Sequence, residues 1–216
     1  MADNSSVSAG GDLREERRKS IMEAAIRLFA ERGYHETKMD DVAELAGLSK
    51  GAIYLYYKSK EDLFCALLEE KARQLLPTLQ SVAERATSVE GLVSDLVYTQ
   101  LTLRQDNMDL FRIFHAQQPR ADLRWQRSFE QIRLHLEQFV ASLAEAFARF
   151  LPELPAEECR SLALELLGML NMHTVDWLVR KDVRPLVARA EVITRHFLYG
   201  LEGIRRTQAV HGACRP

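Results

Sequence analysis

A chain of 216 residues with 47% hydrophobic residues is long enough to bury the core of one large domain or of two small ones. Its formal net charge of −2 gives no global basic field, so a nucleic-acid contact would need charge gathered on one face. No apolar run approaches the roughly 20 residues of a membrane span, and no signal-peptide pattern opens the chain. The three cysteines, Cys65, Cys159 and Cys214, are widely spaced and suggest reduced thiols rather than a disulfide framework. A cytoplasmic protein without a membrane partner is therefore expected.

Residues 1–12 are rich in Ser, Gly and Ala and predict a disordered tail. Beyond them no period-2 alternation appears, and apolar residues recur at helical spacing, so the expected fold is all-α. Ile21, Ala24, Ala25, Leu28 and Phe29 form the stripe of a first helix, which Gly33 ends. Thr37 with Asp40 resembles a capping box, opening a short helix that buries Val42, Leu45 and Ala46 until Gly47 breaks it. Ser49 caps a third short helix running to about Tyr56. Ser59 with Asp62 then opens a long one, which Pro77 is expected to kink or end. Thr87 with Glu90 marks the next start, for a helix carrying Leu92, Leu96, Tyr98 and Leu103, and Asp106 opens a short helix with Leu110, Phe111 and Phe114. From about Ala121 to Phe150, a face is lined by Trp125, Phe129, Ile132, Leu136, Phe139, Leu143 and Phe147. Pro155 followed by Glu157 and Glu158 is a helix start, and Asp182 with Pro185 marks another.

The last two helices are apolar around much of their circumference. Leu162, Leu166, Met169, His173 and Trp177 form one stripe of the first, with a second beside it at Ala163, Leu167, Leu170, Thr174 and Leu178. The final helix carries Phe197 and Leu201. Helices buried on two sides fit a subunit core on one side and a twofold partner on the other, or else one thick monomeric core; the reading taken is a homodimer through these two helices, with Phe197 and Leu201 against the mate.

LSKGAIYLYYKSKEDLF, residues 48–64, gathers lysines and tyrosines around a glycine in a helical pattern. Two short helices joined at Gly47 and packed on a longer first helix read as a helix-turn-helix, whose second helix enters the DNA major groove. Gly51, costing about 1 kcal/mol against Ala within a helix, lets the backbone come close to DNA. Ile53 must face back onto Val42 and Leu28, which leaves Ser49, Lys50, Ala52, Tyr54, Leu55 and Tyr56 outward. Lysine and tyrosine donate to phosphate oxygens, and Lys60 stands in the first turn of the next helix, whose N–H groups also favour phosphate.

AGLSKGAIYLYYKSKEDLF, with the preceding IMEAAIRLFAERGYHETKMDDVAELAGLS, resembles the DNA-binding domain of the TetR family of bacterial transcriptional regulators over about Ser20 to Phe64. The resemblance implies that Thr37, Tyr54, Tyr56 and Lys60 hold phosphates and that Lys50 reaches phosphate or guanine. Gly51 would lie against a base or sugar, and Ser49, Ala52 and Leu55 occupy positions that vary with the operator. Two residues depart from the pattern: Tyr57 stands where Phe is frequent, its ring expected inward with the hydroxyl at the edge, and Lys58 stands where Pro is frequent. Ala52 and Leu55 offer no hydrogen bonds, so specificity would rest on thymine methyls, Lys50 and DNA shape. The organisation implied is a tail at residues 1–12, a helix-turn-helix domain at 13–60 and a helical effector-binding and dimerisation domain at 61–216.

The remaining two thirds resembles the family only in being helical and of suitable length; the family's sensor half binds a small molecule. Tyr98, Phe114, His115, Trp125, Phe129, Met169, His173 and Trp177, with Met172, are candidates for a pocket suited to a largely hydrophobic effector with few polar anchors. There is no G-x-S-x-G, HExxH or Walker loop and no metal-ligand spacing, so neither enzymatic activity nor a cofactor is expected. The reading is a homodimeric, ligand-released repressor on a palindromic operator. One alternative is a regulator sensing oxidation through a thiol such as Cys159, whose place at a helix start could lower its pKa. Another is a helical-bundle enzyme or carrier with a degenerate DNA-binding head.

Overall fold

The computed structural model describes residues 6–116 and 130–212, and among them there is no strand. The helices are α1 (Ser6–Arg32), α2 (Met39–Leu45), α3 (Lys50–Ile53), α4 (Lys60–Arg85), α5 (Val89–Asp106), α6 (Met108–Ala116), α7 (Glu130–Phe150), α8 (Ala156–Arg180) and α9 (Ala190–Gly212), with a 3-10 turn at Leu186–Arg189 before α9. The fold is all-α, a helix-turn-helix followed by a larger helical portion.

The chain divides into two compact units, Met1–Ala72 with Asp109–Arg133, and Arg73–Met108 with Leu134–Pro216. The first boundary lies beyond residue 60, where the sequence pattern placed the end of the head. Leu63, Phe64 and Leu67 in the first turns of α4 are fully buried with Ile21, Phe29, Val42 and Ile53, so the head's core claims the start of the long helix. Leu110 and Ile113 of α6 belong to the same core. The second unit's core joins α5 (Leu92, Leu96), α7 (Leu143, Phe147), α8 (Leu166, Leu170) and α9 (Ile193, Phe197).

Several expected boundaries move. Helix α1 begins at Ser6, inside the stretch expected to be a disordered tail. Helix α2 is preceded by Lys38 with no side-chain cap, so Thr37 and Asp40 make no capping box, and Leu45 is exposed rather than buried. Gly33 and Gly47 do end α1 and α2, with φ of 86° and 69°, backbone angles that side-chain-bearing residues rarely adopt. Ser59 and Asp62 do cap α4: Asp62 N–H donates to Ser59 Oγ at 3.1 Å and Lys58 N–H to Asp62 Oδ2 at 2.8 Å. Helix α4 continues through Pro77. The lost N–H bond is offset by burial of Leu79 and Ala83 beyond it, and the Arg149 guanidinium ends the helix by donating to the Ala83 and Ala86 carbonyls. Ser88, not Thr87, caps α5, accepting from Gly91 N–H at 3.0 Å, and Asp106 closes α5 instead of opening α6. Helix α7 starts at Glu130 in the described residues, with Leu136 exposed; Trp125 and Phe129 lie outside them.

Phe197 and Leu201 correct a further expectation. Both are inside their own chain's core, Leu201 at 3% exposure, so they are not available to a partner subunit. The second unit also buries polar groups that the hydrophobic pattern passed over. Arg104 Nε donates to Gln100 Oε1 at 3.3 Å and Nη1 to Thr174 Oγ1 at 3.1 Å, while the Thr174 hydroxyl donates to the Leu170 carbonyl at 2.7 Å. Burial pushes the Arg104 pKa down to about 10, because the charged form has lost water. Thr174→Val removes a buried acceptor from a desolvated cation, and is expected to lower unfolding stability by about 1–3 kcal/mol. The midpoint of a denaturant titration followed by helical circular dichroism measures it.

Candidate nucleic-acid interface

Helix α3 is a single turn, too short to be stable alone. Two devices hold it. Ser49 Oγ accepts the Ala52 N–H at 3.3 Å, and Ile53 and Tyr57 are buried in the head's core. With these two pointing inward, Ser49, Lys50, Gly51, Tyr54 and Leu55 are exposed, Leu55 at 79%, while Ala52 and Tyr56 are half-buried. Of the six residues read as outward, Ser49, Lys50, Tyr54 and Leu55 are so placed, whereas Tyr56 packs partly on the head's core. Gly51 has no internal reason to be glycine: a β-carbon built there meets nothing within 4 Å, and its φ is outside the left-handed region.

Lys50 Nζ donates to Asp40 Oδ2 at 2.8 Å, and this bond raises the ammonium pKa. The pair is exposed and therefore weak in water, so a phosphate could replace the carboxylate. Tyr57 departs from expectation in one respect. Its ring is inward, but its hydroxyl is buried too, with no hydrogen-bond partner among the described residues, and burial raises its pKa.

Thr37 and Lys60 are not placed as the resemblance implies. Thr37 is 1% exposed, and its hydroxyl donates into the head, 2.9 Å from the Gly33 carbonyl and 3.2 Å from that of Leu28. The Lys60 ammonium donates to the carbonyls of Tyr34, His35 and Thr37 at 2.7, 3.0 and 3.0 Å. It also lies 4.5 Å from the centroid of the Tyr34 ring. An ammonium has three donors and all are engaged; desolvation lowers its pKa. Both side chains brace the turn between α1 and α2. Lys38, which the sequence pattern did not single out, is exposed immediately before α2.

The expected effector residues do not form one described cluster. Tyr98 is 59% exposed, which speaks against a place in an enclosed pocket. His115 belongs to the first unit, stacked on Phe111 with centroids 6.5 Å apart. The side chain of Phe114 lies outside the described residues, as do Trp125 and Phe129. Met169, His173 and Trp177 share α8, Met169 and Trp177 packing on the second core and Trp177 Nε1 donating to the Arg184 carbonyl at 2.8 Å. His173, with Met172, Asp176, Arg189 and Val192, lines an open groove of about 490 Å³. Burial, then the Arg189 charge, lowers the His173 pKa. Cys159 is buried, and burial with Glu158 and Glu153 raises its pKa, contrary to the expected lowering. Among the described residues no group of three or more His, Cys, Asp or Glu could hold a metal, and no helix is long and apolar enough to cross a membrane.

Residues 21–67, the three-helix head with the start of α4, match the family described as bacterial regulatory proteins, tetR family. Over these residues the chain carries a DNA-binding head of the TetR family. It is 35% identical over 105 residues to a fatty acid metabolism regulator protein of Bacillus subtilis, the match covering 42% of this chain and 54% of that protein. The chain thus spans about half the length of curated relatives such as this one and a Bacillus subtilis transcriptional regulator, YhgD, covered to 52%. The fold of the chain is that of the fatty acid degradation regulator FadR from Bacillus halodurans, with TM-score 0.74 and 24% identity over 86% of this chain and 96% of that one. FadR from Bacillus subtilis, solved in complex with stearoyl-CoA, superposes with TM-score 0.71 at 20% identity, over 83% of this chain and 96% of that one.

The brace at Lys60 yields a stability test. Lys60→Met keeps the stem and removes three charge-assisted donors, and is expected to lower unfolding stability by about 1–3 kcal/mol, discounted for partial exposure. An unchanged denaturation midpoint would show that the three bonds contribute nothing net.

Proposed function

We propose that this chain is a ligand-responsive DNA-binding transcriptional regulator, a repressor that binds a palindromic operator as a homodimer in the cytoplasm and releases it on binding a small, largely hydrophobic effector. The observation that carries the reading is Gly51. A glycine costs α3 stability, no neighbour among the described residues requires it, and it sits among exposed Ser49, Lys50, Tyr54 and Leu55. A close-approaching partner outside the chain accounts for that choice. In this reading Ser49, Ala52 and Leu55 meet base edges, Gly51 lies against a base or sugar, and Lys50, Tyr54 and Tyr56 hold phosphates. No catalytic role is assigned to any residue.

Exposed apolar side chains on the last two helices support the dimer: Leu164, Met172 and Val179 on α8, and Val192 and Tyr199 on α9. They replace Phe197 and Leu201 as the proposed contact. The effector class draws on the relatives, regulators of fatty acid metabolism, one of them solved with stearoyl-CoA; we therefore take a long-chain acyl thioester as the effector. Helix α4 is common to both compact units, so a ligand that favours one position of it alters the spacing of the two heads. Half-sites about 34–36 Å apart tolerate little change in that spacing.

Gly51→Leu is expected to melt at or above the wild-type temperature, since a leucine is the better helix former, and to lose affinity for a duplex that the wild-type chain selects from a random library. Retained affinity for that duplex would remove the basis of the reading. The effector is tested by stearoyl-CoA titration with and without the selected duplex. Weakening of DNA binding by about 5- to 150-fold is expected, with the DNA weakening the ligand by the same factor, because the coupling is reciprocal. Equal ligand affinity in both conditions would exclude stearoyl-CoA as the switch.

A further inference from the structure

The inner face of α1 changes character where the head's core stops. Ile21, Ala24, Ala25 and Leu28 are buried along one stripe. Three, four and seven residues before Ile21 stand Arg18, Arg17 and Arg14. At about 100° per residue these three continue the same stripe, while Glu15, Glu16 and Lys19 fall on other sides of the helix. An apolar face thus becomes a cationic face past the edge of the core.

Arg18 shows where that face points. Its guanidinium carbon is 5.6 Å from the centroid of the Tyr57 ring, and its Nε is 3.9 Å from Glu15 Oε2. Tyr57 ends the turn that leaves α3, and its neighbour Lys58 is exposed. Arg14 and Arg17 are exposed, with no ion pair among the described residues. Arg18 therefore brings α1 beside the turn that leaves α3, and like charges three and four residues apart repel one another in the free helix.

We propose that Arg14 and Arg17 form a second phosphate-binding element, gripping the DNA backbone that flanks the half-site read by α3, with Arg18 as the positioning residue. The proposal rests on the DNA-binding reading above. Continuity with the α3 surface argues for DNA over an acidic protein. So does the chemistry: a guanidinium matches phosphate in a bidentate fork, and a phosphate between two arginines removes their repulsion. Arg14 lies about 10 Å along the helix from Ile21, at about 1.5 Å per residue. At about 3.4 Å per base pair, that reach adds about three base pairs of backbone to the site.

The experiment uses the full chain, the pair Arg14→Ala/Arg17→Ala and the pair Arg14→Lys/Arg17→Lys. Each is titrated by fluorescence anisotropy against a duplex of about 30 base pairs selected by the wild-type chain, and against an unrelated duplex of the same length, across a salt series. The alanine pair is expected to reduce the slope of log K against log salt by about two, at about 0.9 per contact. It should weaken both duplexes by the same factor, while the lysine pair keeps the slope. Trimming about three base pairs from each flank should weaken the wild type and leave the alanine pair unchanged. An unchanged slope in an alanine pair that melts like the wild type, with Gly51→Leu still abolishing selected binding, overturns this inference and leaves the DNA-binding reading standing. A loss confined to the selected duplex also overturns it, since a phosphate grip carries no sequence information. A wild-type chain that retains no duplex overturns both.

Discussion

The Lys60 ammonium is the contact on which the head depends. The turn from α1 to α2 leaves the carbonyls of Tyr34, His35 and Thr37 converging on one point, and Lys60 Nζ fills it within 3.0 Å of each. The Tyr34 ring, packed on Phe29 and Phe64, closes one side of the ammonium. Thr37 ties the same turn back to α1 through its hydroxyl. Carbonyls left partly buried without donors would cost the turn much of its stability. With them satisfied, α2 and α3 are held against the first turn of α4, the helix that runs on into the second compact unit.

That brace frees α3 to be chosen for its outer surface. One turn of helix contributes little by itself, and its place is secured from behind by Ile53 and Tyr57 and in front by the Ser49 cap. Tyr57 illustrates the tolerance of such a core. A phenol stands where the family often has Phe, and its hydroxyl is buried without a hydrogen bond among the described residues, a cost of about 1–3 kcal/mol by the usual scale. The aromatic ring and the Arg18 guanidinium over it supply the compensating contact.

The second unit pairs several of its buried polar groups. Arg104 is buried on the neutral oxygens of Gln100 and Thr174. Arg189 joins Asp176 and Asp182 at 2.9 and 3.3 Å and donates to the His173 carbonyl, tying the end of α8 to the 3-10 turn before α9. Hydrogen bonds from Arg184 and then Arg189 hold the Asp182 carboxyl well below the usual range. The left-handed C-cap at Lys181 sets the bend that lets these groups meet. The corner is built from a cluster of charges in which Asp182, read from the sequence as a helix start, pairs with Arg184 and Arg189.

What the amino-acid sequence determined by itself was local. Helical periodicity, the left-handed glycines at 33 and 47, the caps at Ser49 and Ser59, and the ordered block from Ser49 to Phe64 specify the helices and the head, because each depends on residues within about one turn of another. The outward set around Gly51 was legible for the same reason: once Ile53 must face in, the helix angle places the rest. Tertiary structure decided which polar groups have partners and which apolar ones have neighbours. Thr37 and Lys60 read as phosphate ligands until α1 and α4 close around them, and those partners lie up to 26 residues away in sequence. Phe197 and Leu201 read equally well as interface or core, since periodicity reports that a face is buried and not what buries it. Tyr98 sits at helical spacing with buried leucines yet faces outward, because a stripe drawn from sequence has no edge until the neighbouring helices supply one.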